Sequence, residues 1–243
     1  MIELAGVHKI YETPGHTVMA LRDVDLTIRR GEFVSVSGPS GAGKSTLLNL
    51  LGCLDLPSSG RLTFDGQETN RLSDFERARL RNRAIGFVFQ TFNLIRDLTV
   101  LENVELPLVY AGVIRGRRQR ATEALARVGL AGLANRAAGL LSGGEQQRAA
   151  IARAVVNEPE LILADEPTGS VDARSGKQVL ELLEQIHLDG GTIVLVTHNP
   201  TVGAMARRAL RMVDGSLRWQ SFEDAPSSTP AAPPLMRPVT DFA

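Results

Sequence analysis

The sequence has little cysteine, no excess of charge of either sign and no long apolar segment. Its single cysteine, Cys53, cannot form an internal disulfide bond, and it follows an apolar stretch at 46–51 that is predicted to be helical. We therefore expect a small buried side chain there and not a reactive thiol. The 27 lysines and arginines balance the 27 aspartates and glutamates, so the net charge gives no indication of a general nucleic-acid binder.

No segment has the length and apolarity of a membrane span, which needs about 20 predominantly apolar residues. The best candidate, 98–114, carries Glu102, Asn103 and Glu105. Glu3 and His8 interrupt the apolar start of the chain, so no signal peptide is expected. If the protein works at a membrane, it is therefore expected to do so through a partner.

The length of 243 residues and the hydrophobic content of 43% are enough for one large domain or a domain with a subdomain. Strand patterns predominate from residue 2 to about 66, helical spacing from 73 to about 157, and strands alternate with helices from 160 to 218. The apolar runs 161–164 and 192–196 lack polar alternation, which predicts strands buried on both faces of a parallel sheet.

Residues 38–45, Gly-Pro-Ser-Gly-Ala-Gly-Lys-Ser, have the composition and spacing of a phosphate-binding loop. A strand pattern at 33–37 precedes them and a helical pattern at 46–51 follows, which is the context that such a loop requires. Glycines let successive amide N–H groups point at phosphate oxygens, and the helix adds the positive end of its dipole. Lys44 is expected to reach the β- and γ-phosphates and Ser45 to bind Mg²⁺. A glycine-rich turn without a ligand is the alternative.

Two adjacent carboxylates, Asp165 and Glu166, end the apolar run 161–164. The carboxyl ends of parallel strands are where ligands gather in open α/β sheets. Asp165 is expected to share the Mg²⁺ shell with Ser45, and Glu166 to polarise the attacking water. An acidic turn after a strand is the common alternative for an isolated Asp-Glu pair, and the phosphate-binding loop upstream argues against it.

The order of four segments resembles that of the ATP-binding cassette (ABC) ATPases. These segments are the phosphate-binding loop, Leu-Ser-Gly-Gly-Glu at 141–145, Asp-Glu-Pro-Thr at 165–168 and Thr-His at 197–198. The likeness covers roughly residues 1–220, and the combined set is far more specific than any one segment. It implies an α/β fold: a P-loop NTPase core of the RecA-like type with an antiparallel β-subdomain and a helical subdomain.

The resemblance also implies roles for matching residues. The residues expected to bind ATP within the chain are Tyr11, Gly38, Pro39, Ser40, Gly41, Ala42, Gly43, Lys44, Ser45 and Thr46. The expected ligands of Mg²⁺ are Ser45, Gln90 and Asp165. The expected catalytic residues are Glu166, His198, which would sense the γ-phosphate, and Gln90, which follows a strand pattern at 85–89. A structural histidine, a solvated glutamine and a tyrosine at the edge of the core are the alternatives. The first strand is expected at 2–4, and Tyr11 is expected to follow it.

Residues Ser142, Gly143, Gly144 and Glu145, the signature turn, match the segment that serves the ATP of the opposite subunit in this family. Ser142 is expected to cap the helix that follows, which leaves amides and a hydroxyl for a γ-phosphate. A simple capped helix is the alternative. Asp172 matches the residue that couples the two sites of a dimer, although Val171 stands where the family has leucine. The likeness therefore implies a homodimer in which each subunit completes the other's site.

The segments 97–104 and 107–108 resemble ATPases of lipoprotein-release and macrolide-efflux exporters, which implies a membrane permease on a separate chain as the partner. A regulatory module that gates a cell-division-type permease without solute transport is the alternative. A cassette acting on nucleic acid is disfavoured, because the chain has one phosphate-binding loop, no sustained heptads and no net basic charge; no nucleic-acid partner is expected. The basic cluster 115–120 is interpreted as a solvated helix start.

These inferences predict an ABC ATP-binding domain at 1–223, with a helical subdomain at about 91–158. The composition shifts to Pro, Ala and Ser from Ala225, so the interval 224–243 is predicted to be a disordered tail or a linker. The expected location is the cytoplasmic face of the cell membrane, as a peripheral subunit.

Overall fold

The computed structural model describes residues 1–219. The strands in this range are β1 (Ile2–Thr13), β2 (His16–Ile28), β3 (Phe33–Ser37), β4 (Ser59–Phe64), β5 (Gln67–Glu68), β6 (Ile85–Val88), β7 (Leu161–Asp165), β8 (Thr192–Val196), β9 (Arg208–Val213) and β10 (Ser216–Trp219). The α-helices are α1 (Lys44–Leu51), α2 (Asp74–Ala84), α3 (Val100–Tyr110), α4 (Arg117–Arg127), α5 (Gly143–Val155), α6 (Ala173–Leu188) and α7 (Pro200–Gly203). Short 3-10 turns lie at Thr69–Arg71, Ala131–Leu133 and Ala138–Leu140.

A six-stranded sheet in the order β10-β9-β3-β8-β7-β6 forms the centre of the fold. Its strands from β9 to β6 are parallel, and β10 pairs antiparallel with β9. Every residue of β8 and all but the last of β7 are buried, because helices cover both faces of the sheet. The predictions for 161–164 and 192–196 are confirmed.

A second, antiparallel sheet of four strands has the order β2-β1-β4-β5. Its apolar face packs with α1 and one face of the central sheet in one core cluster. The opposite face of the central sheet packs against residues of α3 to α6 in a second cluster. The fold is therefore the predicted α/β core with an antiparallel β-subdomain and a group of helices beside it.

Helix α3 occupies much of the interval 98–114 that was considered as a membrane span. Thr99 caps its first turn through a reciprocal pair of hydrogen bonds with Glu102. Asn103 is fully buried, and its side-chain amide donates hydrogen bonds to the carbonyl oxygens of Ile95 and Thr99. No helix within residues 1–219 is long and apolar enough to cross a bilayer.

One detail differs from the sequence-based expectations, and one agrees with them. Tyr11 was expected to follow the first strand, but β1 continues to Thr13, so Tyr11 lies within it. Irregular register at Val7 and Lys9 hides the continuous strand from a search for simple alternation. Cys53 is buried as expected, and burial raises the pKa of its thiol to about 11. The predicted tail at 224–243 lies outside the described residues.

Candidate functional site

Four adjacent strands bring the predicted site residues to one edge of the central sheet. Strands β3, β8, β7 and β6 are neighbours and run parallel, so their carboxyl ends face the same side. The phosphate-binding loop follows β3, His198 lies two residues beyond the end of β8, Asp165 ends β7, and Gln90 lies two residues beyond β6. This edge is the usual ligand-binding position in open α/β sheets.

The loop at 38–43 has a backbone that requires glycine at two positions. Gly38 has a φ of 149°, and a Cβ added there would lie 2.3 Å from the carbonyl oxygen of Met212. Gly43 has a φ of 106°, and its added Cβ would lie 2.5 Å from the carbonyl oxygen of Ala20. Gly43 is also the N-cap of α1, whose first turn contains no acidic residue. The N–H groups of that turn can therefore bind an anion.

Lys44 places a positive charge on the same loop. Its Nζ donates hydrogen bonds to the carbonyl oxygens of Gly38 at 2.8 Å and Pro39 at 2.9 Å. The ammonium group is thus held across the loop next to the amides of α1. This combination of a fixed cation, curled backbone and helix N-terminus suits a polyphosphate chain.

Ser45 and Asp165 face each other across the site and suit a divalent cation. The Ser45 hydroxyl lies 3.4 Å from Oδ2 of Asp165. Burial and the charge of Glu166 raise the pKa of Asp165 above its ordinary value, although Ser45 and Lys44 oppose this shift. Two hard oxygen donors with few other protein ligands fit Mg²⁺, which keeps waters and binds phosphate oxygens as well.

Glu166 makes a dense set of contacts with the end of β8. One carboxylate oxygen, Oε1, accepts a hydrogen bond from the backbone N–H of His198 at 2.8 Å and lies 2.7 Å from its Nδ1. The other, Oε2, accepts a hydrogen bond from the Thr197 hydroxyl at 3.1 Å. The Glu166 side chain is 15% exposed and that of His198 is 73% exposed, so solvent or substrate reaches the pair from the histidine side.

The backbone of Glu166 is also unusual, with a φ of 43° in the left-handed region. A non-glycine residue in this region is strained, and such strain is concentrated at functional sites. Its N–H group donates to the carbonyl oxygen of Val196, and its carbonyl accepts from Gly169. These bonds fix the conformation in which the carboxylate faces β8.

Gln90 packs on the loop 166–172. A Cβ added to Gly169 would lie 2.7 Å from Nε2 of Gln90, so the absence of a side chain at Gly169 makes room for the amide. The structure therefore places Gln90 beside the segment that follows Glu166. Arg153 of α5 fixes the residues that follow Gln90 in the chain, because its guanidinium donates hydrogen bonds to the carbonyl oxygens of Phe92 and Asn93.

Tyr11 lies beside the first turn of α1. Its hydroxyl donates to Oδ2 of Asp55 at 2.9 Å and lies close enough to the Thr46 side chain for Thr46 to lower the pKa of the phenol. Its side chain is 38% exposed. The ring is thus next to the phosphate-binding helix, and part of it is open to a ligand.

The signature turn lies at the N-terminus of α5. Ser142 caps this helix, and its hydroxyl is 2.8 Å from Oε2 of Glu145 in a reciprocal capping box. The hydroxyl expected to be free for a phosphate is therefore hydrogen-bonded to Glu145 in this structure. A methyl group on Gly143 would approach the Ser170 carbonyl at 3.3 Å, and one on Gly144 would lie 2.2 Å from Oγ of Ser175.

Asp172 connects the signature turn to the loop after β7. It caps α6 by accepting hydrogen bonds from the N–H groups of Arg174 and Ser175, and it also accepts one from the Ser175 hydroxyl at 2.7 Å. These bonds hold the pKa of Asp172 below its ordinary value. Since Ser175 packs on Gly144, the residues around Asp172 and the signature turn form one cluster.

Some residues of the site were missed by the sequence analysis. Gln147 is fully buried in α5 and donates to the carbonyl oxygen of Pro167 at 2.7 Å, which links the helix to the segment after Glu166. A polar residue on the buried face of a helix was the only available signal. Asp55 and Arg153 contact residues far away in the sequence, and no local motif marks them.

Comparison with known proteins agrees with this arrangement. The protein-family model described as "ABC transporter" matches residues 21–169. The chain is 48% identical to the macrolide export ATP-binding/permease protein MacB of Rhodopseudomonas palustris, over 96% of this chain and 36% of that protein. It is 47% identical to the uncharacterized ABC transporter ATP-binding protein YknY of Bacillus subtilis, over 89% of this chain and 95% of that one. The chain therefore spans about a third of the length of the MacB protein.

A solved structure shares the fold closely. It is the dimeric, post-hydrolysis state of the ATP-binding cassette MJ0796 bound to ADP and Pi, with a TM-score of 0.83 and 45% identity. The match covers 91% of this chain and 100% of that chain.

Proposed function

The chain belongs to the ABC transporter family as an ATP-binding subunit and is an ATPase, and on that premise we propose that it works as a head-to-tail homodimer that energises a membrane permease. The proposed work is export, extraction or force transmission across the membrane. The proposed location is the cytoplasmic face, where the permease would hold the dimer as a peripheral complex.

One observation carries this proposal: the phosphate-binding loop, the Ser45–Asp165 pair and the Glu166–His198 pair meet at one sheet edge. Phosphoryl transfer requires mainly that a protein position its reactants and stabilise negative charge. The loop amides and Lys44 supply positive electrostatic potential to the phosphates. The aromatic ring of Tyr11 offers a surface on which the base can stack.

Glu166 is the proposed residue that orients and polarises the attacking water. The water oxygen forms a bond to the γ-phosphorus and gives up a proton, while the bond between this phosphorus and the oxygen that bridges it to the β-phosphate breaks. The products are ADP, inorganic phosphate and the released proton. His198 positions the Glu166 carboxylate and contacts the γ-phosphate. Ser45 and Asp165, together with Gln90, are the proposed ligands of Mg²⁺, which when bound neutralises charge on the phosphate oxygens.

The signature turn is proposed to serve the ATP of the partner subunit. The atoms that a Cβ added to Gly143 or Gly144 would meet within 4 Å belong to Phe92, Ser170, Val171 and Ser175, and none of these residues is part of the phosphate-binding loop of the same chain. The N-terminus of α5 nevertheless has the dipole and backbone N–H groups that favour a phosphate. The dimeric form of the solved relatives supports the two-subunit arrangement.

The proposed permease contact is the groove between α2, β6 and α3. This groove has a volume of about 1450 Å³ and is lined partly by Phe75, Tyr110 and Arg79. Phe75 and Tyr110 are 70% and 80% exposed, so large aromatic surfaces are available to a partner. Phe87 and Phe89 of the same groove lie next to Gln90, which would connect a docked permease segment to the ATP site.

The decisive test measures ATP hydrolysis and nucleotide binding by the purified chain. Lys44→Ala is expected to weaken ATP binding about 30- to 100-fold, the effect of losing a charge-assisted contact to phosphate. Lys177→Ala is the matched control, because Lys177 is an exposed lysine paired with Glu181 on α6. An ATP affinity that is equal in the Lys44 and Lys177 variants would contradict the proposed site.

The partner is tested separately by co-expression with a candidate permease and copurification. Phe75→Ser and Tyr110→Ser are expected to reduce copurification while the ATPase activity of the isolated chain stays unchanged. Retention of the permease by the double variant would place the contact elsewhere.

A further inference from the structure

Lys9 and Asp55 contact each other and both contact the side chain of Tyr11. Nζ of Lys9 lies 2.6 Å from Oδ1 of Asp55, and the other oxygen of the same carboxylate accepts the hydrogen bond of the Tyr11 hydroxyl at 2.9 Å. Lys9 also donates to the carbonyl oxygen of Leu56 at 2.8 Å. Its Nζ is 4.9 Å from the centroid of the Tyr11 ring, within the range of a cation–π contact.

The strand geometry accounts for this contact. Lys9 and Tyr11 are two residues apart in β1, so their side chains project from the same face of the strand. Lys9 is only 9% exposed. Lysine is almost never buried unless its charge is paired, so a partner is expected. The loop that carries Asp55 is attached to β1 by the bond from Ser58 N–H to the His8 carbonyl. The ion pair therefore satisfies a buried charge and joins two segments that are distant in the sequence.

The Tyr11 hydroxyl is joined to the phosphate-binding helix α1 through Asp55. The Asp55 carboxylate accepts the hydrogen bond of the hydroxyl at 2.9 Å, and the Asp55 backbone N–H donates to the carbonyl oxygen of Asn49 in α1 at 3.3 Å. Burial and the contact with Asp55 raise the pKa of the Tyr11 phenol above its ordinary value. Burial opposes ionisation of Asp55, but its bonds to Lys9, the Leu56 N–H and Tyr11 hold the pKa of its carboxyl below the ordinary value.

We propose that Lys9 and Asp55 are positioning residues that fix the Tyr11 ring as a platform for a purine base, at a set distance from the phosphate-binding loop. Lys9 covers one face of the ring, and the 38% exposure of Tyr11 leaves part of the side chain open to a ligand. Because Asp55 bonds to the Tyr11 hydroxyl through its carboxylate and to α1 through its backbone N–H, the platform and the phosphate site are set relative to each other. This inference rests on the proposed nucleotide-binding function.

The first test separates base binding from phosphate binding. Asp55→Asn and Lys9→Met are expected to raise the KM for ATP about five- to tenfold, part of the contribution of a base stacked on an aromatic ring, while kcat changes less than about twofold. Inhibition by inorganic tripolyphosphate, which has no base, is expected to be unchanged. Glu12→Gln is the matched control, because Glu12 is an exposed carboxylate next to Tyr11 in β1.

A double-mutant cycle tests whether Asp55 acts through the hydroxyl. Tyr11→Phe keeps the ring and removes the hydroxyl, so it is expected to raise the KM as much as Asp55→Asn does. The double variant is expected to be no worse than either single variant, because both remove the same contact. An additive loss would mean that Asp55 acts independently of Tyr11 and would overturn the proposal.

A second readout follows the phenol directly. Tyr11 and Tyr110 are the only two tyrosines, so Tyr110→Phe leaves Tyr11 as the single tyrosine in the ultraviolet titration. Asp55→Asn is expected to lower the pKa of Tyr11 in this background, since the neighbouring negative charge is lost. This measurement reports the contact even where a variant has reduced activity.

The outcomes are distinguishable. Equal loss of ATP and tripolyphosphate binding would show a general defect of the phosphate-binding loop and would overturn the positioning role. A lowered pKa of Tyr11 with an unchanged KM would overturn it as well. If the parent protein itself does not hydrolyse ATP, the proposed function fails; if the parent hydrolyses ATP and the variants match it, only the positioning role fails.

Discussion

The imidazole of His198 and the carboxylate of Glu166 form a direct pair at the end of the central sheet. Nδ1 of His198 lies 2.7 Å from Oε1 of Glu166, and the same oxygen accepts the backbone N–H of His198 at 2.8 Å. These two contacts come from His198, and the Thr197 hydroxyl bonds the other carboxylate oxygen, so the direction of the carboxylate depends on the conformation of two adjacent loop residues. A group that must orient a water molecule needs this kind of fixed geometry.

Replacing Glu166 by glutamine tests the proposed chemistry. The amide keeps the size of the side chain but is a poor proton acceptor, so hydrolysis is expected to fall about 100-fold or more while ATP still binds. ATP that is not hydrolysed should hold two subunits together, so light scattering is expected to detect a dimer of the Glu166→Gln variant when ATP is present. Glu181→Gln, on the exposed face of α6, is the matched control. Turnover near the parent rate would remove Glu166 from the mechanism.

Replacing His198 by alanine is expected to have a smaller effect than the Glu166 variant. The backbone N–H and Thr197 would still hold the carboxylate, so we expect a loss in kcat of about 10- to 100-fold. His198→Gln retains a side-chain hydrogen-bond donor and is expected to recover part of the rate. Steady-state kinetics of both variants, with the exposed His16→Ala as control, check this prediction. Equal rates for the glutamine and alanine variants would argue against a hydrogen-bonding role.

The Asp165 carboxylate is expected to cost stability in the absence of ligand. Burial and Glu166 raise its pKa, so the folded state binds more protons than the unfolded state in the pH interval between the ordinary pKa of 3.8 and the raised pKa. Stability is therefore lost as the pH rises through this interval, and the full loss is present at pH 7. Asp165→Asn is expected to raise Tm by about 2 to 4 °C at neutral pH, and this gain should shrink toward about pH 4.

Replacement of Asp55 is a control for the thermal measurement, because it is expected to change Tm in the opposite direction. The pKa of Asp55 is lowered in the folded state. Its carboxylate therefore stabilises the fold at pH values above its ordinary pKa, and this stability is lost as the pH falls through the lowered pKa. Asp55→Asn should therefore lower Tm at pH 7, where Asp165→Asn raises it. A fall in Tm for both variants would show that the Asp165 charge is not a stability cost.

The sequence was enough to place several candidate site residues at one edge of the sheet, because each of them lies within a few positions of a strand. Asp165 ends β7 and His198 follows β8 closely, so local patterns were enough to place them. The parallel order of the strands then brought these residues together. The glycine-rich loop was also predictable, since its strained backbone at Gly38 and Gly43 excludes other residues.

The contacts that support the site were not predictable in the same way. Tyr11 and Asp55 are 44 positions apart, and Gln147 and Pro167 are 20 apart, so neither pair forms a local pattern. The full length of β1 was missed because its bulges interrupt the alternation of buried and exposed residues. These features depend on tertiary packing, which one sequence does not encode in a recognisable motif.

Adjacent glycines of the signature turn offer a matched pair of stability variants. A methyl group on Gly144 would collide with Ser175, whose hydroxyl is bonded to Asp172. Gly144→Ala is therefore expected to lower the free energy of unfolding by about 1–3 kcal/mol. Gly143→Ala has its nearest clash at 3.3 Å and is expected to cost less than about 1 kcal/mol. Urea unfolding measures both, and equal losses would contradict this account.

Arg153 is expected to hold the segment after Gln90 in place. Its guanidinium donates to the carbonyls of Phe92 and Asn93, whose φ values of 60° and 51° lie in the left-handed region. Arg153→Ala would leave these acceptors without a charged donor, so we expect a loss of about 2–3 kcal/mol in unfolding free energy. We also expect faster amide hydrogen exchange at 91–95, because this backbone is unfavourable without a partner.

A matched variant on the same helix separates this local effect from a general one. Arg148 of α5 bonds to the exposed Gln178 side chain, so Arg148→Ala should leave exchange at 91–95 unchanged. Arg153→Lys provides an intermediate case, because a single ammonium group cannot present the fork of a guanidinium to two carbonyls. Exchange at 91–95 should therefore increase in the order parent, Arg153→Lys, Arg153→Ala. If the three proteins exchange equally there, Arg153 does not control the conformation of the segment that joins Gln90 to the helices.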